Sequence, residues 1–188
     1  MVRRLQRLPV RDRMPLAATR CEQGAILIEA AFVFPILIIM FIGLIEFGEA
    51  FAVDRKLTSA ASTVSDLVAQ LSQVSAADLD DIARVADEII KPYVTAPMSM
   101  VVSSVETDGN GAVTVGWSYV HGTGANAHRP GDSFLLPSGL AERNSSVIVT
   151  ETYYQFTPGV ALFLSGTITL SGESFFRPRL SSVVAFKN

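Results

Sequence analysis

Between Arg20 and Arg55 the chain carries no lysine or arginine, and from Ala30 to Ile45 it carries no charge of either sign. Cysteine is nearly missing as well. Cys21 is the single one, so nothing after it can be stapled by a disulfide, and stability there rests on packing. Nor does Cys21 read as a lipoprotein signal, because Arg20 stands directly before it and the apolar run follows it. Histidine occurs twice, His121 and His128, in one loop with Asp132. Their spacing matches no strong ligand pattern and no cysteine is at hand, so solvated loop histidines are the expectation and no metal is assigned. No serine or threonine sits in a nucleophile-elbow sequence, and the glycines of 121–132 come without a P-loop lysine or dinucleotide spacing. Glu29, Glu46 and Glu49 are paired at no spacing suited to acid–base chemistry. The expectation is a protein that is not an enzyme, with no catalytic residue and no cofactor.

What is present is one long apolar stretch. The uncharged residues 30–45 cover about 24 Å as a helix, against a bilayer core of about 30 Å, and extension through Glu29 and Glu46 closes the gap. Residues 1–24 hold six arginines against Asp12 and Glu22, a net of +4, whereas the remainder nets −7 from nine basic and sixteen acidic residues. By the positive-inside rule the leader stays in the cytoplasm and the C-terminal part is exported. A basic tail abutting a span is a topology signal, so no nucleic acid is expected as partner. Met14 offers a second start, with a shorter leader.

A carboxylate inside an apolar helix costs about 2.5–3.5 kcal/mol on insertion scales, so Glu29 needs a partner or a role. Gly24, a four-residue spacer, Glu29 and a long apolar helix together resemble the processing site of type IV prepilins. Pro35 within the helix and Glu46, Phe47 and Gly48 near its outer end narrow this: the stretch resembles the TadE/TadG family of pilus-assembly pseudopilins of the Flp/Tad type IV pilus system. The resemblance implies cleavage by a membrane prepilin peptidase after Gly24, with Ala25 as the first mature residue. It also implies that Glu29 meets the amine of a neighbouring subunit during assembly. Implied partners are the bilayer, that peptidase, other pilin-like subunits and the pilus assembly machinery. The implied place is the bacterial inner membrane, single-pass, with the N-terminus cytoplasmic.

Beyond the span, Leu57, Ala60, Ala61, Val64, Leu67, Val68, Leu71 and Val74 recur at helical spacing, which extends one helix over about 25–73. Pro35 removes one backbone hydrogen bond and is expected to kink it. Gly43, Gly48, Ala50 and Ala52 leave small spots where another helix can approach. Ser75 with Asp78 reads as the N-cap of a second helix that stops at Pro92. The acids Asp78, Asp80 and Asp81 suit its first turn better than calcium, since no glycine-containing ligand loop is present. From residue 98 the pattern turns to strands over 98–106, 112–120, 146–156 and 167–177, with a glycine hairpin at 108–111 and a short turn or helix over 134–143. The apolar residues 160–164 are too few to span a membrane and are expected to pack as a connector. Trp117 with Ser118, residues 147–158 and the stretch from Phe176 to Arg179 extend the same resemblance.

The expected organisation is a leader over 1–24, a TadE-like transmembrane helix over 25–51, an amphipathic helical region over 52–92 and an extracytoplasmic β-rich region over 93–188. The expected fold class is α+β and pilin-like, with a long N-terminal helix and a second short helix packed on an antiparallel sheet. The function this points to is that of a minor pilin, pseudopilin or assembly factor contributing to adhesion. The alternatives are an envelope binding domain on an uncleaved signal anchor, and a pseudopilin of a secretion apparatus.

Overall fold

In the computed structural model the first helix, α1 (Ala18–Ala69), runs without a break through both Gly24 and Pro35. The structure describes the backbone of residues 18–187 and the side chains of residues 24–187, so most of the arginine-rich leader, and Met14, lie outside the described residues. Two compact units meet at Ile42 and Gly43. In the first, the described part is helix alone, and every side chain from Gly24 to Phe41 is exposed. In the second, burial along α1 follows one stripe: Gly43, Glu46, the half-buried Ala50, Val53, Leu57, Ala60, Val64 and Val68, at three- and four-residue steps. That is the pattern of a helix laid along a core.

The amphipathic half begins earlier than the sequence indicates, at Gly43, and ends at Ala69 instead of about residue 73. The early end has a cause. Residues Gln73–Ser75 leave the helix to form a short strand, β1, which pairs in parallel with β6 (Ala185–Lys187). The orphan carbonyl of Ala69 accepts from the Arg179 amide at 2.8 Å, so the helix end is closed from outside its own turn. Helix α2 (Ala76–Ile90) starts with a complete capping box, in which Ser75 and Asp78 satisfy each other's backbone amides. It ends before Pro92. Lys56 of α1 donates to the Ile89 and Lys91 carbonyls at 2.8 and 2.7 Å, joining α1 to the end of α2.

Four antiparallel strands make the sheet, in the order β3 (Val113–Gly122), β2 (Met98–Thr107), β4 (Ser145–Phe156), β5 (Ile168–Phe176). The β2–β3 hairpin turns on Asp108, whose carboxylate accepts from the Asn110 and Ala112 amides at 2.8 Å each, and Gly111 supplies φ +92. A register shift between Ser104 and Val105 leaves Gly116 unpaired, at a spot where an added Cβ would stand 2.2 Å from the Glu106 carboxylate.

Both faces of the sheet are covered. Met98, Met100, Val102, Ile148, Tyr154 and Phe156 pack with α1 and α2 in the main core. Val105, Val147 and Val149 face the other way, under Phe134, Leu136 and Leu140 of the long β3–β4 connection. That connection holds a turn at Gly139 (φ +88) and no helix, since the left-handed glycine breaks any helical run there.

The contact of α1 with β4 and β5 is made of small and polar groups. Ser65 donates to the Thr150 hydroxyl at 2.7 Å, and Thr152 donates to the Gly172 carbonyl at 3.0 Å. A Cβ on Gly172 would lie 3.0 Å from the Thr58 nitrogen and 3.1 Å from the Leu57 carbonyl carbon, both backbone. Gly172→Val should therefore force helix and sheet apart and cost about 1–3 kcal/mol, read as a lower unfolding midpoint of the detergent-solubilised chain. An unchanged midpoint would show that the helix does not sit this close.

Asp78 and Asp108 are both held below the usual aspartate value of 3.8, by the Ser75 hydroxyl and by the Ala112 amide respectively. Each contributes stability that is present above pH 3.8 and is lost as pH falls through its lower folded value. The thermal midpoint should fall across that acid window, and Asp78→Asn with Asp108→Asn should flatten the fall. A double variant with an unaltered acid slope would place the pH dependence elsewhere.

Candidate functional site

The residues singled out from the sequence all lie on α1, and the structure divides them into two groups. Gly24, Ala25, Glu29 and Pro35 are in the first unit and exposed. Gly24 is helical, and among the described residues nothing stands within 4 Å of where its Cβ would be. Glu29 follows Ala25 by about one turn, and it has no hydrogen-bond or ion-pair partner among the described residues. Around it Ile26, Leu27, Ile28, Phe32 and Phe34 are 62–73 % exposed. An apolar helix surface of this kind is stable only in lipid or against other helices. Helix α1 is a candidate membrane anchor by length and composition, consistent with a single-pass membrane protein.

Glu46, Phe47 and Gly48 belong to the second unit. Phe47 and Gly48 face outward. Glu46 points inward and is 1 % exposed, the largest polar side chain closed off from solvent. Its carboxylate accepts three consecutive backbone amides from the β4–β5 connection. The Leu162 amide donates to Oε1 at 2.6 Å, and those of Phe163 and Leu164 donate to Oε2 at 2.9 and 3.1 Å. Successive amides converging on one carboxylate form an anion nest, and the geometry is that of charge-assisted hydrogen bonds.

Residues 160–164 therefore do not pack as a simple apolar connector. The backbone of this loop is turned to the carboxylate, with Ala161 at φ +55, while Val160, Leu162 and Phe163 remain half exposed or more. The Phe163 ring lies against Gly43, where an added Cβ would come within 2.8 Å.

The two histidines do not meet. His121 Nε2 lies 3.2 Å from Asp87 of α2, and His128 Nε2 lies 2.6 Å from Glu151 on the opposite sheet face. Among the described residues no three His, Cys, Asp or Glu side chains gather to hold a metal. Asp78 is taken by the cap, Asp80 accepts from Tyr119, and Asp81 lies 3.5 Å from Arg84. Around Glu151 the Tyr153 hydroxyl donates at 3.1 Å, and Glu173 stands directly across in register. Burial, then the Glu151 charge, pushes the Tyr153 phenol up to about 12 and raises Glu173 above the usual carboxylate value. This group pairs a histidine with a carboxylate but brings no activated nucleophile to them.

Sequence reasoning did not find the partners of Glu46. A signal was there. Glu46 falls on the same three- and four-residue register as Val53 and Leu57, so a carboxylate had to be buried with them.

Residues 24–66 match the family model described as TadE-like protein, which is consistent with the TadE/TadG-like family of Flp/Tad pilus systems and suggests involvement in such a system. The match lies wholly within α1 and includes Gly24, Glu29, Pro35 and Glu46. No curated protein and no solved structure gives a match.

The clamp can be tested directly. Glu46→Ala removes the acceptor for three amides and leaves them without a partner, so residues 159–166 should be cut several-fold faster by protease in the detergent-solubilised chain. Glu46→Gln, which keeps one acceptor oxygen, should be intermediate. Equal cleavage in all three proteins would mean that the loop is held by something else.

Proposed function

We propose that the chain is a minor pilin, pseudopilin or assembly factor of a Flp/Tad-type pilus, working by helix–helix association in the membrane and contributing to adhesion. Catalysis has no part in this reading. The observation that carries it is the outward-facing apolar surface of α1 before Gly43, interrupted by the carboxylate of Glu29, which has no partner among the described residues, within the segment that matches the TadE-like family. The leader lies in the cytoplasm of a bacterial cell, the helix crosses the inner membrane once, and the sheet domain is extracytoplasmic.

A prepilin peptidase cuts between Gly24 and Ala25. Because the helix runs through Gly24, the peptidase must first unwind it locally. Glycine inside a helix costs about 1 kcal/mol relative to alanine, so this is where opening is easiest, and no side chain hinders approach. Cleavage creates a positive amine on Ala25, about one turn from Glu29. In a membrane or filament core neither charge is tolerated alone. Pairing the carboxylate with the amine of a neighbouring subunit fixes how far one helix slides past the next. The clamp at Glu46 supports this reading, because it makes α1 from Gly43 onward integral to the sheet domain.

Two substitutions separate cleavage from assembly. Gly24→Val should leave residues 1–24 attached, seen in the intact mass of membrane-extracted protein, with insertion unchanged. Glu29→Ala should insert at least as well and still be cleaved, yet fail to support normal piliation. A Gly24→Val protein with the same mass as the parent, together with normal piliation by Glu29→Ala, would sink the mechanism.

A further inference from the structure

We propose that residues 159–166 form a lipid-seated loop, entering the outer boundary of the bilayer beside α1, with Val160, Leu162 and Phe163 as the inserted side chains. The inference rests on the reading of α1 as a membrane span.

Depth is the first argument. The Phe163 ring sits on Gly43, which lies inside the uncharged run that ends at Ile45. Gly43 and Glu46 are about 4.5 Å apart along a helix axis. Whatever takes the last turn of this run into hydrocarbon takes the Phe163 ring with it.

Surface chemistry is the second. Val160, Leu162 and Phe163 are 60, 51 and 50 % exposed, three of four successive residues. Phe47 and Phe51 of α1 and Val94 after α2 add to the exposed apolar surface at this end of the domain. Val94 and Gly159 line one open cleft of about 470 Å³, which Glu49 of α1 also borders. A contiguous apolar patch needs a cover, and this one surrounds the helix that already requires lipid. No charged residue occurs between Glu151 and Glu173, so the connection brings no ion into the bilayer.

The third argument concerns the backbone. Irregular chain is excluded from hydrocarbon because its amides go unpaired. Here the amides of Leu162, Phe163 and Leu164 are all given to Glu46. The same bonds give the glutamate, placed at the boundary of the span, the donors it would otherwise lose with its water. The carboxylate thus takes up three of the loop's amides, and those amides give it donors in place of water.

The test uses the full chain with Cys21→Ser, reconstituted in phosphatidylcholine–phosphatidylglycerol vesicles, with one cysteine at a time carrying a nitroxide. Val160→Cys and Leu162→Cys report on the loop, Phe34→Cys on the span, and Leu135→Cys, at a site 92 % exposed in the β3–β4 connection, on water. Both loop positions should collide with oxygen several-fold more than with a water-soluble nickel chelate, as Phe34→Cys does, while Leu135→Cys shows the reverse. Loop labels that follow Leu135→Cys while Phe34→Cys favours oxygen would overturn the inference and leave the span intact; the patch would then face water or a pilin-like subunit. A Phe34→Cys label favouring nickel would overturn the span and the seated loop together.

Discussion

A carboxylate closed off from water has to be met by donors, and Glu46 is met by three amides in a row. The rest of the helix–sheet arrangement hangs on this. It extends the buried stripe of α1 back to Gly43, nearly three turns before Val53, the first large apolar side chain of the core. It also fixes the β4–β5 connection, whose side-chain contacts with the rest of the domain here are the Phe163 ring on Gly43 and Leu164 on the main core. Hydrogen bonds to an ionised group are roughly twice as strong as neutral ones, and three of them converge here.

Below that clamp the helix is held at two further levels by different chemistry. In the middle, Gly172, Thr152, Thr150 and Ser65 let backbone approach backbone, and hydroxyl groups take up the polar atoms that close approach buries. At the far end, the Arg179 amide closes the Ala69 carbonyl, Arg179 pairs with Asp66, and Trp117 donates to the Val184 carbonyl at 2.8 Å. The Phe186 ring is 5.6 Å from that of Trp117, so the β1–β6 pair is packed on the main sheet as well as hydrogen-bonded to itself. Apolar burial between these levels supplies the bulk of the stabilisation, and the polar contacts decide where along the sheet the helix stops sliding.

Much of this was legible in the sequence. Period-3.6 spacing after residue 54 announced the amphipathic helix, Ser75 with Asp78 announced the capping box, and Asp108 with Gly111 announced the hairpin, because each rests on neighbours in the chain. All four long strands lie within a residue or two of where valine-rich alternation put them. What stayed hidden depends on distant partners. β1 and β6 are three residues each and carry no alternation of their own, so only their mutual pairing makes them strands. Residues 160–164 look like core by composition, yet only Leu164 packs against it, and the position of Glu46 shows why the backbone of 162–164 faces inward. Gly24 and Glu29 stand out by motif alone, and within the single chain nothing near them gives the motif a geometry.

The partners of the clamp are far apart in the chain: Glu46 and Leu162 are separated by 116 positions. Ribosomes make the helix first, so α1 is complete before the β4–β5 connection has been synthesised. During that interval Glu46 is a carboxylate without its amides, and it stays at water or borrows donors from a neighbouring chain. Contacts this remote in sequence close late and slowly. The newly made chain thus passes through a stage in which Glu46, like Glu29 at the other edge of the apolar run, lacks the partners the finished domain provides. In the folded chain Glu46 has its three amides, whereas Glu29 has no partner among the described residues. Completion of the domain therefore closes off the carboxylate at one edge of the apolar run and leaves Glu29 exposed at the other.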